Sequence, residues 1–167
     1  PYSIQKFKVD DPKVNKANAA KVLNSLGYSN KGNVAILNNI RSETSYLLAK
    51  MGITKKPNET NVGAFQWKGQ RFDDYIMWAG KDRSINNIDT SILFMDQELN
   101  TGQKSGEFSN DYAQLKKHLK GEGNLSVDEL TWLFAAVYLR PSSENLAKRG
   151  KKPPKEILNL YTDKKLN

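Results

Sequence analysis

Hydrophobic residues along this chain recur mainly at the three- and four-residue intervals of one helix face. Read together with capping residues and with glycine or proline at segment ends, this spacing predicts six or seven helices. The predicted helices cover residues 14–26, 29–44, 71–79, 89–101, 110–119, 126–140 and a short segment after 153–154. With little strand between them, this order of elements is typical of a mainly α fold in a single domain.

Three segments lack helical spacing. Residues 1–14 alternate loosely between apolar and polar side chains, which predicts an extended arm or a short strand. Residues 49–62 are polar and include glycine and proline, which predicts a loop or a small lobe. Residues 62–69 are short and bracketed by Gly63 and Gly69, which predicts a tight turn or hairpin.

Composition narrows the possible chemistry. With 167 residues, 38% of them hydrophobic and 26% charged, the chain resembles an ordinary soluble domain. It has no cysteine and one histidine, His118, which excludes disulfides, cysteine ligands and a multi-histidine metal site. We expect His118 on a helix surface, and we expect neither a metal nor a cofactor. No apolar run approaches the about 20 residues that span a bilayer. There is no signal-peptide pattern, and the start at Pro1 suggests removal of a methionine or tag.

Positive charge is concentrated near the C-terminus. The net charge is +8, and residues 148–167 contain seven basic side chains against two acidic ones. Such a segment, from Lys148 to Lys165, favours an anionic partner such as nucleic acid, a phosphate-rich cell-wall polymer or an acidic protein surface. The alternative is a solvated terminal face. Nucleic acid is the weakest of these partners, because no known nucleic-acid-reading motif is present and the charge is terminal.

One acidic residue lies on the apolar face of the helix capped by Ser29. At about 100° per residue, Glu43 falls near the middle of a stripe of apolar positions. Burial disfavours the charged form of a carboxylate, as a general acid working near neutral pH requires. The alternative is that Glu43 caps or salt-bridges a neighbour in an ordinary core helix. The stripe comprises Ile36, Leu37, Ile40, Thr44, Leu47 and Leu48.

Three separated segments together resemble the phage tail lysozymes and, more loosely, the lysozyme-like superfamily that includes goose-type lysozymes and lytic transglycosylases. They are Arg41-Ser-Glu-Thr44, Gly63-Ala-Phe-Gln-Trp67 and the segment from Phe134 to Pro141. In that superfamily a helix ends on a glutamate, a Gly-x-x-Gln turn closes one wall of the cleft, and an aromatic–Arg–Pro motif follows late. Threonine replaces the usual serine after Glu43. The resemblance covers about residues 15–142.

The resemblance implies a lysozyme-like helical domain with a small loop or hairpin lobe, and a glycoside hydrolase of the lysozyme type. It implies cleavage of the β-1,4 bond between N-acetylmuramic acid and N-acetylglucosamine in a peptidoglycan strand, with Glu43 as the general acid. Virion localisation in a phage tail, partner tail proteins and action in the host cell wall or periplasm are implied as well. The implied substrate-binding residues are Gly63, Phe65, Gln66, Trp67, Tyr138 and Arg140. For the aromatic residues, core packing is the alternative.

A second carboxylate is harder to assign from the sequence. The stretch Asp96-Gln-Glu98-Leu99 resembles the helix that commonly carries another acidic residue, so Glu98 is a supporting acid or a structural one. Families of this superfamily also operate with one glutamate and either an ordered water or the acetamide of the substrate. Lytic transglycosylation of the same bond and a catalytically inactive wall-binding or virion module remain alternatives. The expected division is an arm over 1–14, a catalytic domain over 15–142 and a basic extension over 143–167 packed on that domain.

Overall fold

Helices form most of the structure, as the hydrophobic pattern predicts. The computed structural model describes residues 9–167, so most of the arm predicted for residues 1–14 lies outside the described residues. The mainly α fold is confirmed. The α-helices of the described residues are Pro12–Ser25 (α1), Asn30–Thr44 (α2), Gln70–Ala79 (α3), Ile88–Thr101 (α4), Ser109–Leu119 (α5), Val127–Phe134 (α6), Ser143–Leu146 (α7) and Lys155–Leu158 (α8).

The segment predicted as a loop or small lobe contains a short hairpin. Strand β1 (Thr54–Lys56) pairs antiparallel with β2 (Glu59–Asn61). The predicted turn over 62–69 follows at once and is closed by an antiparallel bridge between Val62 and Trp67. Short 3-10 helices lie at Leu48–Lys50, Lys104–Gly106, Glu122–Asn124 and Lys164–Leu166.

Two predicted helix starts are confirmed by their capping bonds. The side chain of Ser29 accepts a hydrogen bond from Gly32 N at 3.0 Å and begins α2. At α6, Glu129 N donates to Ser126 Oγ at 3.1 Å while Ser126 N donates to Glu129 Oε1 at 3.0 Å. These reciprocal bonds satisfy amide groups that the first helical turn leaves unpaired.

Two other helix starts differ from the prediction. Helix α1 begins at Pro12 rather than at Val14, because the Asp11 side chain caps it and proline suits the first helical position. Helix α4 is capped by Asn87, so Asp89, the first residue of the predicted segment 89–101, lies in the first turn instead of capping the helix. Both differences shift an element boundary by about two residues and leave the element itself in place.

The hydrophobic core lies between α2 and the helices packed on it. The apolar stripe of α2 is buried at Ile36, Leu37 and Ile40, and α6 is buried from Leu130 to Phe134. A helix that is apolar on most sides is expected at the centre of a domain. Helix α6 continues directly into a π-helix, Ala135–Leu139, in which Arg140 N donates to Ala135 O at 2.7 Å.

Residues after α6 return to this core. Leu158, Tyr161 and Leu166 are each buried, so the basic segment has an apolar side. His118 is 1% exposed and its Nδ1 lies 2.7 Å from the Tyr161 hydroxyl oxygen. The expectation of a surface histidine is therefore wrong, because His118 is on the face of α5 that the C-terminal segment covers. The division into arm, catalytic domain and extension stays a prediction.

Among residues 9–167, no helix combines the length and the apolar character that a membrane crossing requires.

Candidate active site

Glu43 lies in the last turn of α2, between the core and the surface. The neighbouring side chains of Ile40 and Thr44 are buried, while the Glu43 side chain is 21% exposed. The helix ends at Thr44, so Leu47 and Leu48 lie beyond it and do not extend the predicted helical stripe. A carboxylate in this position is anchored by a buried helix and remains reachable from solvent.

Arg149 forms an ion pair with Glu43 that the sequence analysis did not predict. Its Nη2 donates to Glu43 Oε1 at 2.9 Å, and its Nη1 donates to Asn39 Oδ1 at 2.7 Å. The Arg149 side chain is only 10% exposed. Asn39 is fully buried, and its Nδ2 donates to the backbone oxygens of Ala35 and Thr131. The guanidinium is thus held between a buried amide and the carboxylate.

The backbone next to Arg149 is fitted closely to the start of α6. Gly150 has φ +86°, and a Cβ there would overlap the carbonyl oxygen of Asp128. Lys151 N donates to the same oxygen at 3.0 Å. Because a residue with a side chain would meet both a strained φ and this contact, glycine is required to bring Arg149 against α2.

The turn at 63–67 is tethered on several sides. Gly63 N donates to Met51 O at 2.7 Å, and a Cβ on Gly63 would lie 2.8 Å from the Trp67 ring. Gln66 is partly buried with φ +54°, and its Nε2 donates to the backbone oxygens of Lys50 and Gly63, both at 2.9 Å. These bonds fix the Gln66 amide and leave its Oε1 without a donor from residues 9–167.

The three aromatic side chains predicted to bind sugar rings lie in the core. Phe65, Trp67 and Tyr138 are 3%, 2% and 0% exposed. The Phe65 ring packs against Trp67 at 5.5 Å and edge-on against Tyr138 at 6.0 Å between centroids. Their predicted role as flat faces for sugar rings is corrected, because packing on both sides leaves no ring face open. These side chains pack in the core, which is the alternative given above, and they support the turn from its inner side.

Glu98 belongs to a buried polar network. It is 4% exposed, and its Oε1 accepts from Arg71 Nη2 at 3.0 Å and from the Tyr138 hydroxyl at 2.7 Å. Arg71 also donates to Tyr138 O at 2.8 Å, and its guanidinium lies 4.4 Å from the centre of the Tyr138 ring. Burial first, and then the Glu98 charge, raises the pKa of Tyr138 well above its usual value. Tyr138 is therefore a neutral donor that orients Glu98.

Arg140 extends this network through its contacts with Phe108 and Gln103. Its guanidinium lies 3.8 Å from the centre of the Phe108 ring. When the Gln103 amide is oriented with its oxygen toward the donors around it, that oxygen accepts from Arg140 Nη2 and from Arg71 Nε. The predicted substrate-binding role of Arg140 stays a prediction: the side chain is partly exposed, and its buried Nη1 has no partner among the described residues.

Backbone strain is concentrated at the three segments singled out in the sequence. Six non-glycine residues of 9–167 have positive φ, and four of them lie in or directly after those segments. Residues held in this region cost free energy and are enriched at functional sites. The π-helix before Arg140 is likewise a geometry often found near functional sites. The four residues are Ser45, Tyr46, Gln66 and Arg140.

Comparison with known proteins supports the family resemblance that the three sequence segments indicate. A family model described as phage tail lysozyme matches residues 14–159, which is nearly the whole chain. No match was found among the curated proteins with which the chain was compared.

Proposed function

Since the chain belongs to the phage tail lysozyme family, we propose that it cleaves the β-1,4 bond between N-acetylmuramic acid and N-acetylglucosamine with Glu43 as the general acid. Family membership itself makes the chain a lysozyme-like peptidoglycan hydrolase associated with a phage tail. The bond, the acid and the site of action in the host wall or periplasm are the proposed part.

The observation that supports this proposal most directly is the setting of the Glu43 carboxylate. Breaking a glycosidic bond requires a proton on the leaving oxygen and stabilisation of an oxocarbenium-like centre. Glu43 is fixed at the end of a buried helix, is partly exposed, and has one oxygen, Oε1, engaged by Arg149. Among residues 9–167, no group donates to Oε2, which leaves that oxygen for the glycosidic oxygen of the substrate.

We propose that the turn at 63–67 supplies a wall of the sugar-binding cleft, as the family resemblance implies. Its Gln66 amide is held by two backbone oxygens, and its Oε1 remains an acceptor for a sugar hydroxyl or acetamide N–H. Gly63 shapes the turn, and Phe65 and Trp67 support it from the core. We propose that Gln66 is the sugar-contacting residue of this segment.

Glu98 is not proposed as the second catalytic carboxylate. Its buried Oε1 is already bonded by a cation and a hydroxyl. A single acid then leaves the second half of the reaction to a water molecule or to the substrate acetamide. A water attack gives hydrolysis, whereas attack by the sugar 6-hydroxyl gives a 1,6-anhydro product and would make the chain a lytic transglycosylase.

The replacement of the family's serine by Thr44 does not argue against activity. The Thr44 side chain is 1% exposed, and its hydroxyl donates to Ile40 O at 3.1 Å within α2. The extra methyl group is therefore accommodated in the core. The inactive wall-binding alternative loses the observation that motivated it.

The test is the Glu43→Gln variant on purified peptidoglycan. We expect release of muropeptides to fall by about 10²- to 10⁴-fold, the usual contribution of a general acid, with an unchanged circular dichroism spectrum. Glu144→Gln, which changes an exposed acid, is the matched control and should retain activity. Mass spectrometry of the products separates reducing N-acetylmuramic ends from 1,6-anhydro ends. Full activity of Glu43→Gln would refute the proposed mechanism.

The exposed lysines of residues 148–165 remain a proposed surface for an anionic cell-wall polymer. Lys148, Lys151, Lys152, Lys155, Lys164 and Lys165 are all exposed. No ion pair joins these six lysines to an acidic side chain among the described residues.

A further inference from the structure

We infer that Arg149 is a positioning residue for the reaction: it binds Oε1 of Glu43 and thereby assigns the catalytic proton to Oε2. This inference rests on the proposed role of Glu43. It also makes the segment after Pro141 part of the active site, although that segment lies outside the catalytic domain that the sequence predicts.

The Arg149 guanidinium has a fixed orientation. One terminal nitrogen binds Glu43 at 2.9 Å and the other binds Asn39 at 2.7 Å. Asn39 is 0% exposed and is itself anchored to backbone oxygens of α2 and α6. A guanidinium is planar, so two fixed acceptors determine its plane and the direction of its donors. The Arg149 Nη2 donor therefore approaches Glu43 from the side of the protein core, in a direction that Asn39 fixes.

The backbone on both sides of Arg149 keeps the side chain next to Glu43. The following residues are held on α6 by the Lys151–Asp128 backbone bond and by the contact that only glycine permits at position 150. The backbone bond Arg149 N to Leu146 O, at 2.9 Å, holds the preceding side. The arginine is thus delivered by a backbone fixed on both sides rather than by a mobile tail.

The bond from Arg149 determines which oxygen of the Glu43 carboxyl group holds the proton. A protonated carboxylic acid has one hydroxyl oxygen, which donates, and one carbonyl oxygen, which only accepts. Arginine has donors only, so Glu43 Oε1 must be the accepting oxygen and the proton must reside on Oε2. In the reaction, the proton moves from Oε2 to the glycosidic oxygen as the bond to the anomeric carbon breaks and its electron pair stays on that oxygen. Negative charge develops on the Glu43 carboxylate, where Arg149 stabilises it.

The test compares Arg149→Gln and Arg149→Lys with Lys21→Gln, a change of an exposed cation on α1. We expect Arg149→Gln to lower kcat by about 10²-fold, the scale measured when one preorganised donor is removed, with little change in KM. Arg149→Lys should recover part of kcat, because it retains the charge but loses the two-acceptor geometry. Lys21→Gln should behave as wild type.

The pH dependence of kcat distinguishes positioning from a structural role. Removing a cation beside a carboxylate favours its protonated form. The pH profile of kcat should therefore change in Arg149→Gln, whereas a purely structural loss would leave it unchanged. Millimolar guanidinium should restore part of the activity of Arg149→Ala. Melting temperatures of all variants are measured in parallel, and assays are run well below them.

The outcomes separate this inference from the proposed function. If Glu43→Gln is inactive and Arg149→Gln keeps the wild-type kcat and pH profile, Arg149 does not position the acid and the proposed function stands. If Glu43→Gln is active, the proposed function fails first. If both are impaired, Glu43→Gln/Arg149→Gln should be no slower than Glu43→Gln alone, because the arginine acts through the carboxylate. An additive loss would show an independent role for Arg149 and overturn the inference.

Discussion

Replacing Glu98 by glutamine tests whether this buried acid stabilises the fold or takes part in catalysis. Glutamine keeps the shape of the side chain and removes its charge. The amide can still accept the Tyr138 hydroxyl, but the Arg71 guanidinium then loses its counter-ion. The Arg71 and Glu98 side chains are only 12% and 5% exposed, so water cannot solvate the arginine charge that is left without a partner.

The expected cost follows from the burial of Arg71. Removing one partner of a buried ion pair costs about 3–5 kcal/mol, because the remaining charge is uncompensated. Arg71 retains its bond to Tyr138 O at 2.8 Å and its contact with the Tyr138 ring, which places Glu98→Gln near the lower end, at about 3 kcal/mol. For a chain of this size, that cost lowers the melting temperature by roughly 6–12 °C.

The assay combines thermal and urea unfolding, followed by circular dichroism and tryptophan fluorescence, with muropeptide release at a temperature where the variant is folded. We expect a large loss of stability and a kcat within a few-fold of wild type. Arg71→Met/Glu98→Met should recover part of the stability of Glu98→Gln, because no charge is then left unpaired. An unchanged melting temperature together with lost activity would refute the structural role and make Glu98 a catalytic acid.

Four further predictions concern the C-terminal segment, His118 beneath it, and the turn. Gly150→Ala should lower stability by at least about 1–2 kcal/mol, the cost of a left-handed conformation, and should reduce kcat; native stability and activity would contradict the fitted geometry. Burial lowers the pKa of His118, and the Glu122 charge opposes this effect. Neutral His118 therefore contributes its full stability above pH about 6.5, and this stability is lost as the pH falls through the lowered pKa of the folded state. Urea unfolding should show the loss, and His118→Gln should make it smaller. Tyr161→Phe should cost about 1 kcal/mol, measured by urea unfolding at pH 7.5, and no change would mean that the bond to His118 contributes nothing. Trp67→Phe should reduce stability with little effect on KM, whereas a higher KM with unchanged stability would restore the sugar-binding role.

Local sequence signals predicted most of the helical architecture. The helices appear where apolar positions repeat with helical spacing, and the caps at Ser29 and Ser126 are visible because their side chains act within three residues. The boundary differences at Asp11 and Asn87 have the same origin, since several neighbouring residues there can cap and only tertiary packing selects among them. Signals that act over a single turn are therefore readable from one sequence.

The composition of the candidate site was less predictable. Glu43 was found from its position on an apolar stripe and from family resemblance, but its partner Arg149 lies 106 residues further on. In the sequence, Arg149 is only one of seven basic residues in a charged tail. The sequence leaves two interpretations open for the aromatic residues near the turn, because the same side chains serve both sugar binding and core packing, and no pattern in one sequence separates the two.

The three segments match a family pattern in the sequence, but their backbone conformation could not be predicted from it. The strained positions show why. Ser45, Tyr46, Gln66 and Arg140 all adopt positive φ, yet none is a glycine, so turn chemistry gives no warning of it. Each conformation must be enforced by its surroundings, as the two backbone bonds of Gln66 illustrate. Substituting glycine at Gln66 relieves about 1–2 kcal/mol of strain but removes two hydrogen bonds worth about 1 kcal/mol each. Stability should therefore change little, while activity falls. A parallel rise in both, measured by urea unfolding and muropeptide release, would separate the strain from the function.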